Sequence, residues 1–187
     1  LYYETNDGFD VTNKITVLGG SGGGGAGAPG TIYLKQSGKV GMLLLAGPDS
    51  TLNRVTPIWL PEGATYTEDI VIQGTNRVGE FCSGEFIPLN LSILTGGKLR
   101  HRATTTNEES RLELWVQSNL TVDATSSIDV SGRGYLAGWT VGNTTLDAST
   151  GYAGGSYGGL GYPSTGTANL TYGTPRNPDD LGSGGGR

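Results

Sequence analysis

Leu112-Glu113-Leu114-Trp115-Val116-Gln117-Ser118-Asn119-Leu120-Thr121-Val122-Asp123-Ala124-Thr125-Ser126-Ser127-Ile128-Asp129-Val130 is the stretch that decides the fold. Its apolar residues fall on even numbers: Leu112, Leu114, Val116, Leu120, Val122, Ile128 and Val130. The odd positions between them are mostly polar. Alternation over short runs is the mark of half-buried strands. A helix starting at Asn107-Glu108-Glu109 is the competitor, but the period is wrong for it. Gln117-Ser118-Asn119 and Ala124-Thr125-Ser126-Ser127 break the run as small polar corners. Because the parity holds across both corners, three short strands are expected to share one inward face.

Further strands are expected outward from this stretch. Towards the N-terminus they are Leu89–Leu94, Asp69–Ile72, Pro57–Leu60, Val40–Leu45, Thr31–Lys35, Ile15–Leu18 and Phe9–Val11. Pro61–Thr65 and Thr95-Gly96-Gly97-Lys98-Leu99 read as turns, and no long amphipathic helix intervenes. Hairpin folds favour Asn-Gly or Asp-Gly turns, and only Asp7-Gly8 fits. Corners that conserve parity suit strands stacked parallel on the next turn of a coil. The expected fold class is therefore all-β, a parallel β-helix or β-solenoid with glycine-rich loop inserts.

Glycine sharpens the picture. It makes up 34 of the 187 residues, about 18 % against an average near 7 %, without a collagen period. Eight glycines crowd residues 19–30 and sixteen lie in 132–187, but only six in 51–131. The expected organisation is one β-solenoid segment over 1–187, with a glycine-rich insert at 19–30 and a Gly/Tyr-rich cassette at 132–187. Leu181-Gly182-Ser183-Gly184-Gly185-Gly186-Arg187 echoes Leu18-Gly19-Gly20-Ser21-Gly22-Gly23-Gly24-Gly25, as if a second copy began there. A fragment of a longer repeat protein is the corresponding expectation. The cassette itself, with Tyr152, Tyr157 and Tyr162 among its glycines, reads either as low-complexity disorder or as an ordered loop lying on the body.

The net charge of −5 and scattered basic residues argue against nucleic acid. Lys98, Arg100, His101 and Arg102 form one basic cluster, read as a solvated strand edge or turn. No run nears the length of about 18 apolar residues that a membrane helix requires. The single Cys82 allows no internal disulfide; it is read as a buried thiol, with an intermolecular bridge or a reactive thiol as the alternative. One His and one Cys cannot build a zinc site. The glycine block at 19–27 leads into a strand, not a helix, so it lacks the anion site of a phosphate loop. It also has no acid for a calcium-binding repeat. Asp7 with Asp10, and Asp179 with Asp180, read as Asx turns before cation ligands.

No catalytic residues and no cofactor are assigned. Glu113, Asp123 and Asp129 share the outward parity and are the carboxylates a glycosidase would use. Trp115, on the same face, is the candidate glycan contact. Asn90, Asn119, Asn143 and Asn169 are glycosylation acceptors if the protein is secreted by a eukaryote.

Ser127–Tyr135, Gly154–Gly161, Tyr172-Gly173-Thr174-Pro175 and Leu181–Gly186 resemble the glycine-rich cassette of very large secreted or cell-surface repeat proteins. Gly22–Leu34 is similar to the linker in the same arrays. The resemblance covers 112–187 well and 15–35 loosely; residues 36–111 lie outside it. It implies a predicted right-handed parallel β-helix, an extracellular or cell-surface location and an adhesive or structural role, and it carries no catalytic residues. The expected function is a non-enzymatic structural or adhesive module of a surface protein, sheath or filament. Its partners would be neighbouring repeats or copies of itself stacked end to end, with surface glycans as further contacts. Two other readings stand beside it: a polysaccharide lyase or hydrolase, by fold analogy, and a carbohydrate-binding module using Trp59, Trp115 or Trp139.

Overall fold

A computed structural model describes residues 2–3, 14–22, 25–46, 53–59, 67–82, 84–174 and 176–187. The strand expected at Phe9–Val11, the turn at Pro61–Thr65, and Asp7 and Asp10 lie outside these residues. The chain divides into two compact units: Leu1–Arg100 with Leu112–Asp129, and His101–Arg111 with Val130–Arg187.

Unit 1 is built of short strands: β1 (Tyr2–Tyr3), β2 (Ser21–Gly22), β3 (Gly25–Ala26), β4 (Ile32–Gln36), β5 (Met42–Ala46), β6 (Arg54–Ile58), β7 (Asp69–Gln73), β8 (Arg77–Phe81), β9 (Glu85–Phe86), β10 (Asn90–Leu94), β11 (Lys98–His101, whose last residue falls in unit 2), β12 (Glu113–Leu114), β13 (Leu120–Val122) and β14 (Ser127–Ile128). One sheet has the order β1-β4-β5-β7-β10-β13, a second β14-β11-β8-β6, and a third pairs β12 with β9. β5, β7, β10 and β13 run parallel and in register: Leu43 lies beside Ile70, Ile70 beside Leu91, and Leu91 beside Leu120.

Sequence explains these elements locally. β7 and β10 alternate, with Ile70 and Ile72, then Leu91 and Ile93, buried on one side. Each strand ends where a residue adopts positive φ, Asn76 (58°) in one corner and Thr95 (56°) with Gly96 (81°) in the next. That reversal feeds β8 and β11 into the second sheet. The corners bond to one another, Asn76 N–H donating to Gly96 C=O at 3.2 Å and Ser127 N–H to Gly97 C=O at 3.1 Å. Between the sheets lies one apolar core of Leu45, Ile58, Ile70, Ile72, Phe81, Phe86, Leu91, Ile93 and Leu99. Phe81 and Phe86 stack within it at 4.9 Å. Burying each such side chain contributes about 1.5–3 kcal/mol.

The expectation of a parallel β-helix with glycine-rich loop inserts is corrected here. Among the described residues the sheets are mixed and no closed solenoid forms. β4 runs antiparallel to β5, pairing Ile32 with Leu44 and Leu34 with Met42. The cause is a tight turn at Gln36–Lys39, in which Gly38 takes φ 70° and Lys39 N–H donates to Gln36 C=O at 3.1 Å. A hairpin therefore stands where a coil corner was expected. The glycine insert closes on itself as the antiparallel pair β2–β3. Ile15–Leu18 is not a strand; Ile15 and Val17 instead pack on the cluster Ile32, Leu34 and Leu44.

Unit 2 is held differently. Among its described residues, ladder pairing beyond β11 reduces to two isolated bridges, Thr140 with Thr144 and Thr174 with Asn177. Glycine offers no side chain to pack, and among the described residues the buried apolar side chains of this unit are Tyr135 and Ala153. Instead Gly182–Gly186 runs between two other segments. It bonds Tyr135, Gly138 and Trp139 through Gly182, Gly185 and Gly184, and Ser156 and Ala153 through Ser183 and Gly186. The backbones approach so closely that a Cβ on Gly184 would lie 1.9 Å from the Leu136 carbonyl oxygen. The two glycine blocks that echo each other in sequence thus do different work. Ser21–Gly22 pairs antiparallel with Gly25–Ala26, whereas Leu181–Gly186 is the central strap of unit 2.

Candidate functional site

The least ordinary feature of unit 1 is how its strand ladder ends. β13, β14 and β12 are each terminal in their sheets. They continue the inward apolar row in register, Leu91 beside Leu120, Ile93 beside Val122 and Leu99 beside Ile128. Leu91, Ile93 and Leu99 are 0 % exposed, whereas Leu120, Val122 and Ile128 are 49 %, 40 % and 38 % exposed. The last layer has the chemistry of a core and the exposure of a surface.

A polar ladder ends at the same place. Asn90 Nδ2 donates to Asp69 Oδ1 at 2.6 Å, and Asn90 Oδ1 accepts from Asn119 N–H at 3.0 Å and Asn119 Nδ2 at 3.1 Å. Asp69, Asn90 and Asn119 are register neighbours in β7, β10 and the residue before β13. The series stops at Asn119, which is exposed.

Towards the other end of unit 1 the described apolar residues Ile32, Leu34 and Leu44 are buried. β1 lies along β4, and Ile15 and Val17 pack over Ile32, Leu34 and Leu44. β6, the edge of the second sheet, carries Pro57, which has no N–H to offer a further strand. The neighbouring Thr56 hydroxyl donates to Pro29 C=O at 2.8 Å.

The candidate carboxylates are placed by different elements: Glu113 lies in β12, Asp123 follows β13 and Asp129 follows β14, strands of three different sheets. Asp123 is a corner fastener. It accepts from Thr95 N–H at 2.5 Å, Thr125 N–H at 2.9 Å and Thr125 Oγ1 at 2.8 Å. These bonds, the Thr95 N–H first among them, hold its carboxyl well below the usual range.

The four sequons separate. Asn169 is 3 % exposed and organises the interior of unit 2. Its Oδ1 accepts from Ser156 N–H at 2.7 Å and Ser149 Oγ at 2.9 Å; its Nδ2 donates to Leu170 C=O at 2.9 Å and Ser183 Oγ at 3.0 Å. Ser183 Oγ lies 2.7 Å from Thr140 Oγ1 and donates to Tyr172 Oη at 3.0 Å. This node is a polar core, a role that the sequon reading missed. The density of Ser, Thr and Asn among glycines was its only sequence signal. Asn143 Nδ2 donates to Thr105 C=O at 3.0 Å, Asn90 sits inside the ladder, and Asn119 is at its exposed end.

Tyr135, also buried in unit 2, donates to Glu109 Oε1 at 3.0 Å. Burial first, then that bond, pushes its hydroxyl up to about 12. Burial likewise raises Tyr172.

Trp115 is 64 % exposed at the end of β12, with its backbone N–H on Phe86 C=O at 2.9 Å. Trp59 is exposed and Trp139 half-buried. The basic residues are dispersed: Arg100 Nη2 meets Glu80 Oε2 at 2.7 Å, His101 is buried with Nδ1 2.6 Å from Arg102 C=O, and Arg102 lies 3.9 Å from Glu108. Cys82 is buried, its Sγ 3.3 Å from Glu80 C=O. Asn177 Nδ2 donates to Asp179 Oδ2 at 3.0 Å. Among the described residues no cluster of three His, Cys, Asp or Glu is placed to hold a metal, and no helix is long and apolar enough to cross a membrane. No protein-family model, curated protein or solved structure matches the chain.

Proposed function

We propose that this chain is a non-enzymatic structural or adhesive module of the extracellular space or cell surface, and that it works by being stacked upon. One observation carries the reading: the apolar row that is 0 % exposed at Leu91, Ile93 and Leu99 is left 38–49 % exposed at Ile128, Val122 and Leu120. Proteins ordinarily blunt such an edge with charge, proline, a bulge or a covering segment. Here the proline and the covering segment serve the opposite end. An unprotected edge with backbone donors and an apolar row is a seat for another strand. The partners are accordingly neighbouring segments of the same kind or copies of this chain. The extracellular setting rests on the resemblance of the glycine-rich segments to surface arrays.

Sedimentation of the purified chain over a range of concentrations tests the reading. Association that strengthens with concentration is expected; a monomer persisting to roughly 100 µM, the weak end of specific binding, would contradict it.

The exposed indoles of Trp59 and Trp115 support a second reading, glycan contact by stacking on sugar faces. Binding of the wild type to a glycan array, lost in Trp115→Ala, would favour it; equal signals from both proteins would remove Trp115 from it.

A further inference from the structure

We infer that the open end of unit 1 is self-complementary: two copies join β13 to β13 across a two-fold axis, antiparallel and centred on Thr121. This rests on reading that end as a stacking surface, and it specifies the partner and the polarity.

The polarity follows from the asymmetry of the ends. A head-to-tail contact needs two different open surfaces, whereas an isologous contact needs one that fits itself. At the far end β1 occupies the outer side of β4, and Ile15 and Val17 cover the apolar cluster. There too, β6 presents Pro57, and the Thr56 hydroxyl is engaged by Pro29. Among the described residues, the apolar row is left exposed at the end made by β12, β13 and β14.

The fit follows from the backbone of β13. Asp123 N–H donates inward to Ile93 C=O at 3.1 Å, and Asn119 C=O accepts from Leu91 N–H at 2.9 Å. Successive peptide groups of a strand point to opposite sides. The N–H and C=O of Leu120 and Val122 therefore point outward, away from β10. With the axis at Thr121, Leu120 faces Val122 of the second copy, and each such pair exchanges two hydrogen bonds. Both residues are in the apolar row, so apolar side chains meet on the shared face. Asn119 falls opposite Asp123, and no like charges are opposed. Thr121 then faces its own copy in a non-hydrogen-bonded pair, with a Cα separation of about 4.5 Å, within disulfide reach.

The test is light scattering on the full chain with three variants. Val122→Pro carries the Pro57 device to the open edge and removes a donor that β10 does not use. Pro57→Val alters the covered end. Thr121→Cys reports the axis through oxidative cross-linking, and does not depend on Val122→Pro folding. The expected result is a wild-type dimer whose dissociation constant rises at least about tenfold in Val122→Pro. Pro57→Val should not weaken it, and Thr121→Cys should give a disulfide-linked dimer on mild oxidation. An open-ended series growing with concentration would overturn the two-fold contact while leaving the stacking reading intact. A monomer throughout would remove both. A dimer that neither cross-links through Thr121→Cys nor weakens in a folded Val122→Pro would place the contact elsewhere and overturn the inference.

Discussion

Leu91 and Leu120 are the same residue type, side by side in one ladder, yet one has no exposed surface and the other is half exposed. The same contrast separates the two ends of unit 1. At the β4–β6 end, a reversed strand, a packed segment and a proline close the stack. At the β13–β14 end, the apolar row, the amide ladder and the outward backbone groups simply stop. In a stacked sheet each strand is stabilised by the layer on either side. What distinguishes core from binding surface is then the presence of the next layer, not the residue.

Equivalent substitutions along the row should therefore cost unequal amounts. Leu91→Ala, inside the ladder, should cost about 3–4 kcal/mol by cavity formation. Leu44→Ala, beneath the covering segment at the closed end, should cost nearly as much, about 2–4 kcal/mol. Leu120→Ala in the dilute protein should cost no more than about 1 kcal/mol, because half its surface already meets water. Urea unfolding of the three variants measures this series. Equal losses for Leu91→Ala and Leu120→Ala would break the contrast between the ends.

The amide ladder gives a smaller version of the same test. Asn90→Ala removes the bond to Asp69 and leaves two groups of Asn119 without their acceptor, so a loss of about 1–2 kcal/mol is expected. Asn119→Ala, at the ladder's end, should lose about 0.5 kcal/mol or less, as exposed polar substitutions do. Thermal melts of the two variants would sharpen the comparison if their order holds, and reverse it if Asn119→Ala is the more damaging.

Acid should act least. The folded-state pKa of Asp123 lies below its unfolded value, so its contribution is fully present above the unfolded carboxylate pKa of about 3.9 and is lost as pH falls through the lower folded value. Because the group is exposed, the effect is small. Asp123→Asn should flatten that acid limb in a pH series of unfolding midpoints, whereas an unchanged limb would show that the carboxylate fastens nothing.

Much of this was legible in the sequence, within definite limits. Alternation located β7, β10, β13 and β14, because strands with one face in the core must repeat every second residue. It missed β8 and β11, where Arg77, Glu80, Lys98 and Arg100 surround few apolar positions and obscure the row. The Arg100–Glu80 pair at 2.7 Å, made across strands, turns a sequence-level basic cluster into a neutral contact. The hairpin at Gly38 was hidden because its turn lacks an Asn-Gly or Asp-Gly pair, and with it went the parallel β-helix. Parity also identified the side to which Leu120, Val122 and Ile128 belong, but a pattern names a face without saying whether anything covers it. In unit 2 glycine content gave no means of foreseeing the Asn169 node, since polar bonds to backbone groups leave no period in a sequence.

Amide hydrogen exchange at Leu120, Thr121 and Val122, followed against protein concentration, tests the central claim most directly. Thr121 N–H points to β10 and should be protected at every concentration. Leu120 and Val122 N–H point outward and should exchange rapidly in the dilute protein, then gain protection together as concentration rises. Protection of Leu120 and Val122 at all dilutions would mean the chain covers this edge itself. Rapid exchange at all concentrations would mean nothing is stacked on it, and either result would contradict the account.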